Sequence, residues 1–291
     1  MLSVPRTNIV FAILGVALIG GGLLLWTRDS NEASEIRIQN TQTLYAEVPP
    51  AVPGPADAAA TSTAANMPVP ILVYHIVRPA YPTDSRAVTG LAHTPQVFDA
   101  EMKYLGEAGY HLTTFAALES HLAEGAPLPN NPVIISFDDG WSDQFTYAFP
   151  ILKKYHCAAE FFIFTNAIGR RGFLTWNDLR VMRDAGMIIG SHSRSHPFLT
   201  KITDPARLWD EIDGSKLLIE KMLGITVNEF AYPFGQYDAT TTALVEKAGY
   251  KAARGDYLKR GGTASLATLY ALGALNAPTT TAAFMLRFPK R

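Results

Sequence analysis

The stretch Val133–Trp141, VIISFDDGW, runs strand-forming residues straight into two adjacent aspartates and a glycine. Two neighbouring carboxylates at the end of a buried strand repel each other, so each requires a cation, a proton or a hydrogen-bond donor. A positive partner is therefore expected close by. Successive side chains of an extended chain point in opposite directions, so Asp138 and Asp139 are expected to do different work. An aspartate can also cap the helix that follows, but capping accounts for only one of the two. Gly140 then allows a tight turn directly after the pair.

Around this stretch, short apolar runs alternate with amphipathic segments. Strands are predicted at 70–75 (PILVYH), 133–137 (VIISF), 158–164 (AAEFFIF), 187–192 (MIIGSH), 229–232 (EFAY) and 250–254 (YKAAR). Helix starts are predicted at Thr94-Pro95, at Thr175 through Asp178, at Asp204-Pro205 and at Asp238. An Ala-Gly-apolar phrase recurs at 108–110, 185–187 and 248–250. There glycine supplies a left-handed helix cap and the next residue begins a strand. Repeated helix-Gly-strand units imply parallel strands, in an open sheet or a barrel, with the site at the strand C-terminal ends. No GxGxxG or GxxxxGK[ST] pattern is present, so nothing points to a dinucleotide or P-loop site.

His192 and His196, in GSHSRSHP, follow another predicted strand end. Four residues of extended chain would separate them by roughly 13 Å, too far to share one metal ion. The chain must curl between them if they act together, and Pro197 with the small residues before it is compatible with a turn. With Asp139 they make a three-ligand set that leaves a coordination position open, the pattern of a catalytic metal. FAYPFG, residues 230–235, lies at a third strand end; by itself it reads as a turn into the helix opened by Asp238.

The 291 residues carry a net charge of −1, with 48% hydrophobic and 18% charged content. That suits one well-packed domain with extensions and gives no basic stripe for nucleic acid. Cys157 stands alone, which excludes an internal disulfide and a Cys-rich zinc knuckle. Ile9 to Trp26 is an uncharged run flanked by Arg6 and Arg28. Its length predicts an uncleaved N-terminal signal anchor across residues 1–27, with a cleaved signal peptide as the alternative. Residues 28–68 read as a disordered Ala/Pro-rich tether, and 69–291 as the folded domain.

Taken in order, SFDDG, HSRSH and FAYPFG resemble the polysaccharide deacetylases of carbohydrate esterase family 4, the NodB-homology domain. The resemblance implies a distorted (β/α) barrel of about seven strands and removal of N-acetyl, sometimes O-acetyl, groups from an acetylated polysaccharide. It implies a divalent metal, zinc first among the candidates, on Asp139, His192 and His196, with Asp138 as general base. The opening ILVYHIV is similar to the subgroup acting on poly-N-acetylglucosamine, which makes His75 the general acid. Two departures stand out. Ala231 occupies the position where the family usually carries an arginine that meets the base, and the late Leu-x-His is missing from LYALGALNAP. The first departure resembles the same subgroup; the second requires His75 to supply the acid.

On this reading a backbone N–H near Tyr232 assists the oxyanion, and Trp141, Trp176 and Phe234 line a sugar groove. For each aromatic, core packing is the competing role. The domain is expected outside the cytoplasm, tethered to the membrane. A metal hydrolase acting on O-acetyl esters or cyclic amides is a rival reading, as is a glycan-binding pseudoenzyme.

Overall fold

Each predicted apolar run becomes a strand in the computed structural model, which describes residues 68–257 and 264–291. The apolar run 9–26 and the tether before residue 68 lie outside the described residues. No helix among those described is long and apolar enough to cross a membrane. The strands are β1 (Ile71–Tyr74), β2 (Ile76–Val77), β3 (Ala92–His93), β4 (His111–Thr113), β5 (Pro132–Phe137), β6 (Glu160–Ile163), β7 (Ile188–Ser191), β8 (Glu229–Ala231), β9 (Ala252–Tyr257) and β10 (Leu272–Asn276).

Seven of them close a ring in the order β1-β10-β9-β8-β7-β6-β5, and β5 pairs back onto β1. Every ladder in the ring is parallel. The distortion lies at β5. Its first half pairs with β4, from His111↔Pro132 to Thr113↔Ile134, whereas its second half pairs with β6 at Ser136↔Glu160 and Phe137↔Phe161. β4 thus wedges into the ring beside the start of β6. The contact is sealed where the Phe115 amide donates to the buried Glu160 carboxylate at 2.8 Å. The separate β2-β3 pair sits beyond β1.

The helix boundaries follow the local chemistry. Thr94 accepts from the Val97 amide with Pro95 in the first turn, and Thr175 and Asp178 cap each other's amides. Asp204 and Asp238 cap the helices Pro205–Trp209 and Ala239–Lys247. Gly109, Gly186 and Gly249 all take left-handed φ, at 81°, 88° and 80°. β10 and the β2-β3 pair were not legible as strands. The β10 sequence LGALN has weak strand propensity and shifts register between Gly273 and Ala274, so its conformation is set by the neighbours that bury it.

Inside the ring, Ile71, Val73, Ile134, Phe162, Ala231, Ala252, Leu272 and Ala274 form one cluster with Phe115, Leu118 and Leu122 of the helix Phe115–Glu124. Phe162 is the bulky occupant, and Gly190, its partner across the β6-β7 ladder, makes room for it. A Cβ on Gly190 would lie 2.6 Å from the Phe162 ring. Gly190→Ala is therefore expected to cost about 1–3 kcal/mol through overpacking. Chemical denaturation should show this as a lowered midpoint, which the companion change Phe162→Leu should partly restore.

Candidate active site

Because the ring is parallel, the residues after β1, β5, β7 and β8 meet on one rim. His75 follows β1, Asp138 and Asp139 follow β5, His192 follows β7, and Tyr232 to Phe234 follow β8. The rim is also where the backbone is strained. Among the described non-glycine residues with positive φ are Asp139 (72°), Ser193 (69°), His196 (59°) and Phe234 (58°). Such conformations cost on the order of 1–3 kcal/mol each and persist only where the surroundings enforce them.

Those turns accomplish what the sequence required. Asp139 and Gly140 both take positive φ, and a Cβ on Gly140 would come within 3.1 Å of Ile163. The chain curls after His192, with the Ser193 hydroxyl accepting from the His196 amide at 3.0 Å. The Glu211 carboxylate holds the curl by accepting from the amides of Arg194 (3.1 Å) and Ser195 (2.8 Å) and from the Ser195 hydroxyl. The result brings His192 Nε2 to 3.2 Å from His196 Nε2. Asp139 Oδ1 lies 3.8 Å from the first and 3.4 Å from the second.

These three donor atoms could hold a metal. Ligands on a tetrahedral ion with bonds of about 2.0–2.1 Å stand roughly 3.3 Å apart, close to the spacing found here. The orientation also fits. His192 Nδ1–H donates to the Ala231 carbonyl at 2.7 Å, which turns the Nε2 lone pair towards the cluster. Burial, joined by the His196 ring, pushes the His192 imidazole down to about 4 despite the nearby aspartates, so it is neutral at pH 7. The Trp141 indole N–H donates to Asp139 Oδ2 at 3.0 Å, leaving Oδ1 for the cluster.

Asp138 is held differently. Its side chain is fully buried and ion-paired with the equally buried Arg254 of β9. Burial raises its pKa, but Arg254, His192 and His75 together overcome that and bring it down to about 2. His75 Nε2 lies 3.9 Å from Asp138 Oδ2, and the His75 side chain is 12% exposed. The Gln144 amide nitrogen donates to the carbonyls of both His75 (2.8 Å) and Asp138 (2.6 Å), tying the two strand ends together.

The remaining predicted residues divide. Phe234 is 43% exposed and packs on His196 with ring centroids 4.6 Å apart. Trp141 stacks on Phe173 and orients Asp139, so its indole edge is occupied. Tyr232 is fully buried, its hydroxyl bonded to the Tyr270 carbonyl. Its amide donates to the Arg254 carbonyl at 2.9 Å as part of the ladder, so that amide is not free for an oxyanion. Trp176 opens the helix Trp176–Asp184. No described hydrogen bond or ring contact joins it to the acidic and histidine residues of the rim.

Three contributors were missed. Arg254 is the direct partner of Ala231 across the β8-β9 ladder, so the guanidinium that meets Asp138 arrives from the strand adjacent to the one where it was expected. The arginine that ends the predicted strand YKAAR was the available signal. Gln144 and Glu211 left none, since the contacts that give them their role, to the His75 carbonyl and to the Arg194–Ser195 curl, are made only when separate segments of the fold come together.

The fold and rim define a (β/α)-barrel protein with an Asp-His-His metal-type cluster beside a buried Asp-Arg pair. Residues 125–253 match the profile of the polysaccharide deacetylase family. YxkH of Bacillus subtilis, named as a polysaccharide deacetylase, is 31% identical over 183 residues, covering 63% of this chain and 62% of the relative. This chain thus spans under two thirds of that relative's length. The poly-beta-1,6-N-acetyl-D-glucosamine N-deacetylase of Staphylococcus aureus (strain MRSA252) is 25% identical over 203 residues, covering 62% of this chain and 69% of its own. The Streptococcus pyogenes deacetylase PplD, solved with acetate, superposes with a TM-score of 0.69 at 25% identity, covering 78% of this chain and all of that one.

The buried pair can be tested. Arg254→Met leaves Asp138 charged and buried without its cation, with an expected loss of about 3–5 kcal/mol. Adding Asp138→Leu should recover most of that loss in urea melts. A double variant no more stable than the single would contradict the pairing.

Proposed function

We propose that this chain hydrolyses N-acetyl groups on a polymer of N-acetylglucosamine, using a divalent metal on Asp139, His192 and His196. The observation that carries the reading is the juxtaposition of Asp138, the Asp-His-His cluster and His75 within one rim. Likeness to the staphylococcal N-deacetylase supports an N-acetylated glucosamine polymer as the substrate class. A metal held by the cluster would supply Lewis acidity, polarising the acetyl carbonyl and acidifying a water.

The chain's own residues carry the proton steps. Arg254 keeps Asp138 ionised at any pH above about 2, so its carboxylate is always ready to accept a proton. A carboxylate that weakly basic cannot activate bulk water, which is why the acidified water is needed. His75, with Nε2 3.9 Å from Asp138 Oδ2, donates a proton to the departing amine. Without that proton the carbon–nitrogen bond does not break at neutral pH, whereas an ester with a good leaving group needs little such help. On the sequence of residues 9–26 alone, we further propose that the domain works outside the cytoplasm on an N-terminal anchor.

Metal analysis of purified variants tests the division of labour. Alanine at Asp139, His192 or His196 should lower metal occupancy, whereas Asp138→Asn should keep the metal and lose activity. Equal metal loss in Asp138→Asn and His192→Ala would refute it. For His75→Ala, acetate release from N-acetylated oligosaccharides should fall roughly 10²–10⁴-fold while an activated aryl acetate suffers far less. Equal losses on the two substrates would mean that His75 is structural and the acid lies elsewhere.

A further inference from the structure

The rim carries a chain of ring contacts that no single motif reveals. Trp141 stacks on Phe173 with centroids 4.6 Å apart, Phe173 meets Phe164 at 5.4 Å, and Phe164 meets His196 at 5.4 Å. From His196 the chain continues to Phe234 at 4.6 Å and ends on Phe198, stacked at 3.9 Å and 13°. The first half braces the Asp-His-His cluster and is half-buried. The outer end is not: Phe234 is 43% and Phe198 42% exposed.

Core packing does not explain that outer pair. Phe234 holds a left-handed backbone (φ 58°, ψ 12°), unfavourable for a large side chain, and the strain presents its ring to the rim rather than burying it. Phe198 follows Pro197 directly and precedes the fully buried Leu199, which anchors the segment. The two rings therefore form a fixed platform, one face of Phe198 covered by Phe234. The exposed residues that flank the pair in sequence, Ser195, Lys201 and Gln236, are polar. The exposed outer pair of this chain of rings is too small for a protein interface, which needs roughly 800 Å² per partner. It suits a ligand unit that is apolar on its faces and polar around its edge, and a pyranose ring has that form.

We propose that the Phe198–Phe234 stack is a subsite for a neighbouring sugar of a glycan chain, which lays the apolar face of its ring on Phe198. This rests on the glycan reading above and deepens it: the protein prefers a polymer over a single acetylated sugar. The sugar at the Asp-His-His cluster and the sugar on Phe198 are then held together, so affinity rises with chain length.

The test uses the full chain and the reaction products, which bind without turnover: β-1,6-linked glucosamine hexamer, and glucosamine monomer, each by isothermal titration. The wild type should bind the hexamer more tightly than the monomer. Phe198→Ala should lose about tenfold in hexamer affinity, in line with the loss of one well-packed aromatic contact. Phe198→Trp should retain it, with thermal melts confirming that both variants fold. Hexamer affinity equal in wild type and Phe198→Ala, or no preference for hexamer over monomer in the wild type, would overturn the subsite. Acetate release from the acetylated hexamer is read on the same preparations. Its absence would overturn the proposed activity, while Phe198-dependent binding of the hexamer would leave the subsite standing.

Discussion

The buried ion pair between Asp138 and Arg254 constrains the rest of this barrel. Removing two charges from water costs several kcal/mol per ion, and their attraction offsets that only in good geometry. Arg254 is fully buried, with its Nε and Nη1 making no hydrogen bond among the described residues. The Phe162 ring, 4.7 Å from the guanidinium carbon, compensates in part through its negative face. Accommodating an arginine and a phenylalanine side by side within the ring requires small neighbours. Gly190 faces Phe162 and Ala231 faces Arg254 across their ladders. The absence of an arginine at 231 and its presence at 254 are therefore one packing decision.

The second requirement is rigidity in loops that adopt costly conformations. The strained turns at Asp139, Ser193 and His196 are held by polar contacts made to the residues around them. Glu211 ties down the curl between the histidines, Gln144 clamps the strand ends that carry His75 and Asp138, and Trp141 fixes one oxygen of Asp139. Most of these contacts are made to a backbone group or to a single carboxylate oxygen. They set orientations within a hydrogen-bond length, the precision that proton transfer and metal coordination demand.

The two adjacent aspartates also show how one dipeptide supports two environments. Asp138 lies in the barrel, dry and paired, with its carboxyl held down to about 2, below an ordinary aspartate. Asp139 turns out through a left-handed backbone to the half-exposed rim, facing two imidazoles. Their opposite orientation, predicted from the pleat of an extended chain, is sharpened by the turn at Gly140.

Much of the architecture was legible because it rests on local chemistry. Apolar runs fixed the barrel strands, caps at Thr94, Thr175, Asp204 and Asp238 fixed helix starts, and Ala-Gly phrases fixed helix ends, since each depends on residues within a turn of one another. The residues Asp138, Asp139, His192 and His196 were legible as well, because strand ends in a parallel barrel converge by construction. What only tertiary structure decided are contacts between distant segments. Arg254 reaches Asp138 across 116 positions, Gln144 spans 69 to the His75 carbonyl, and Phe198 finds Phe234 through a loop that no motif predicts. β10 belongs in the same group, a strand by virtue of its neighbours. Sequence by itself determined which residues could meet; closure of the ring, by fixing the spacing of its strand ends, determined which of them touch.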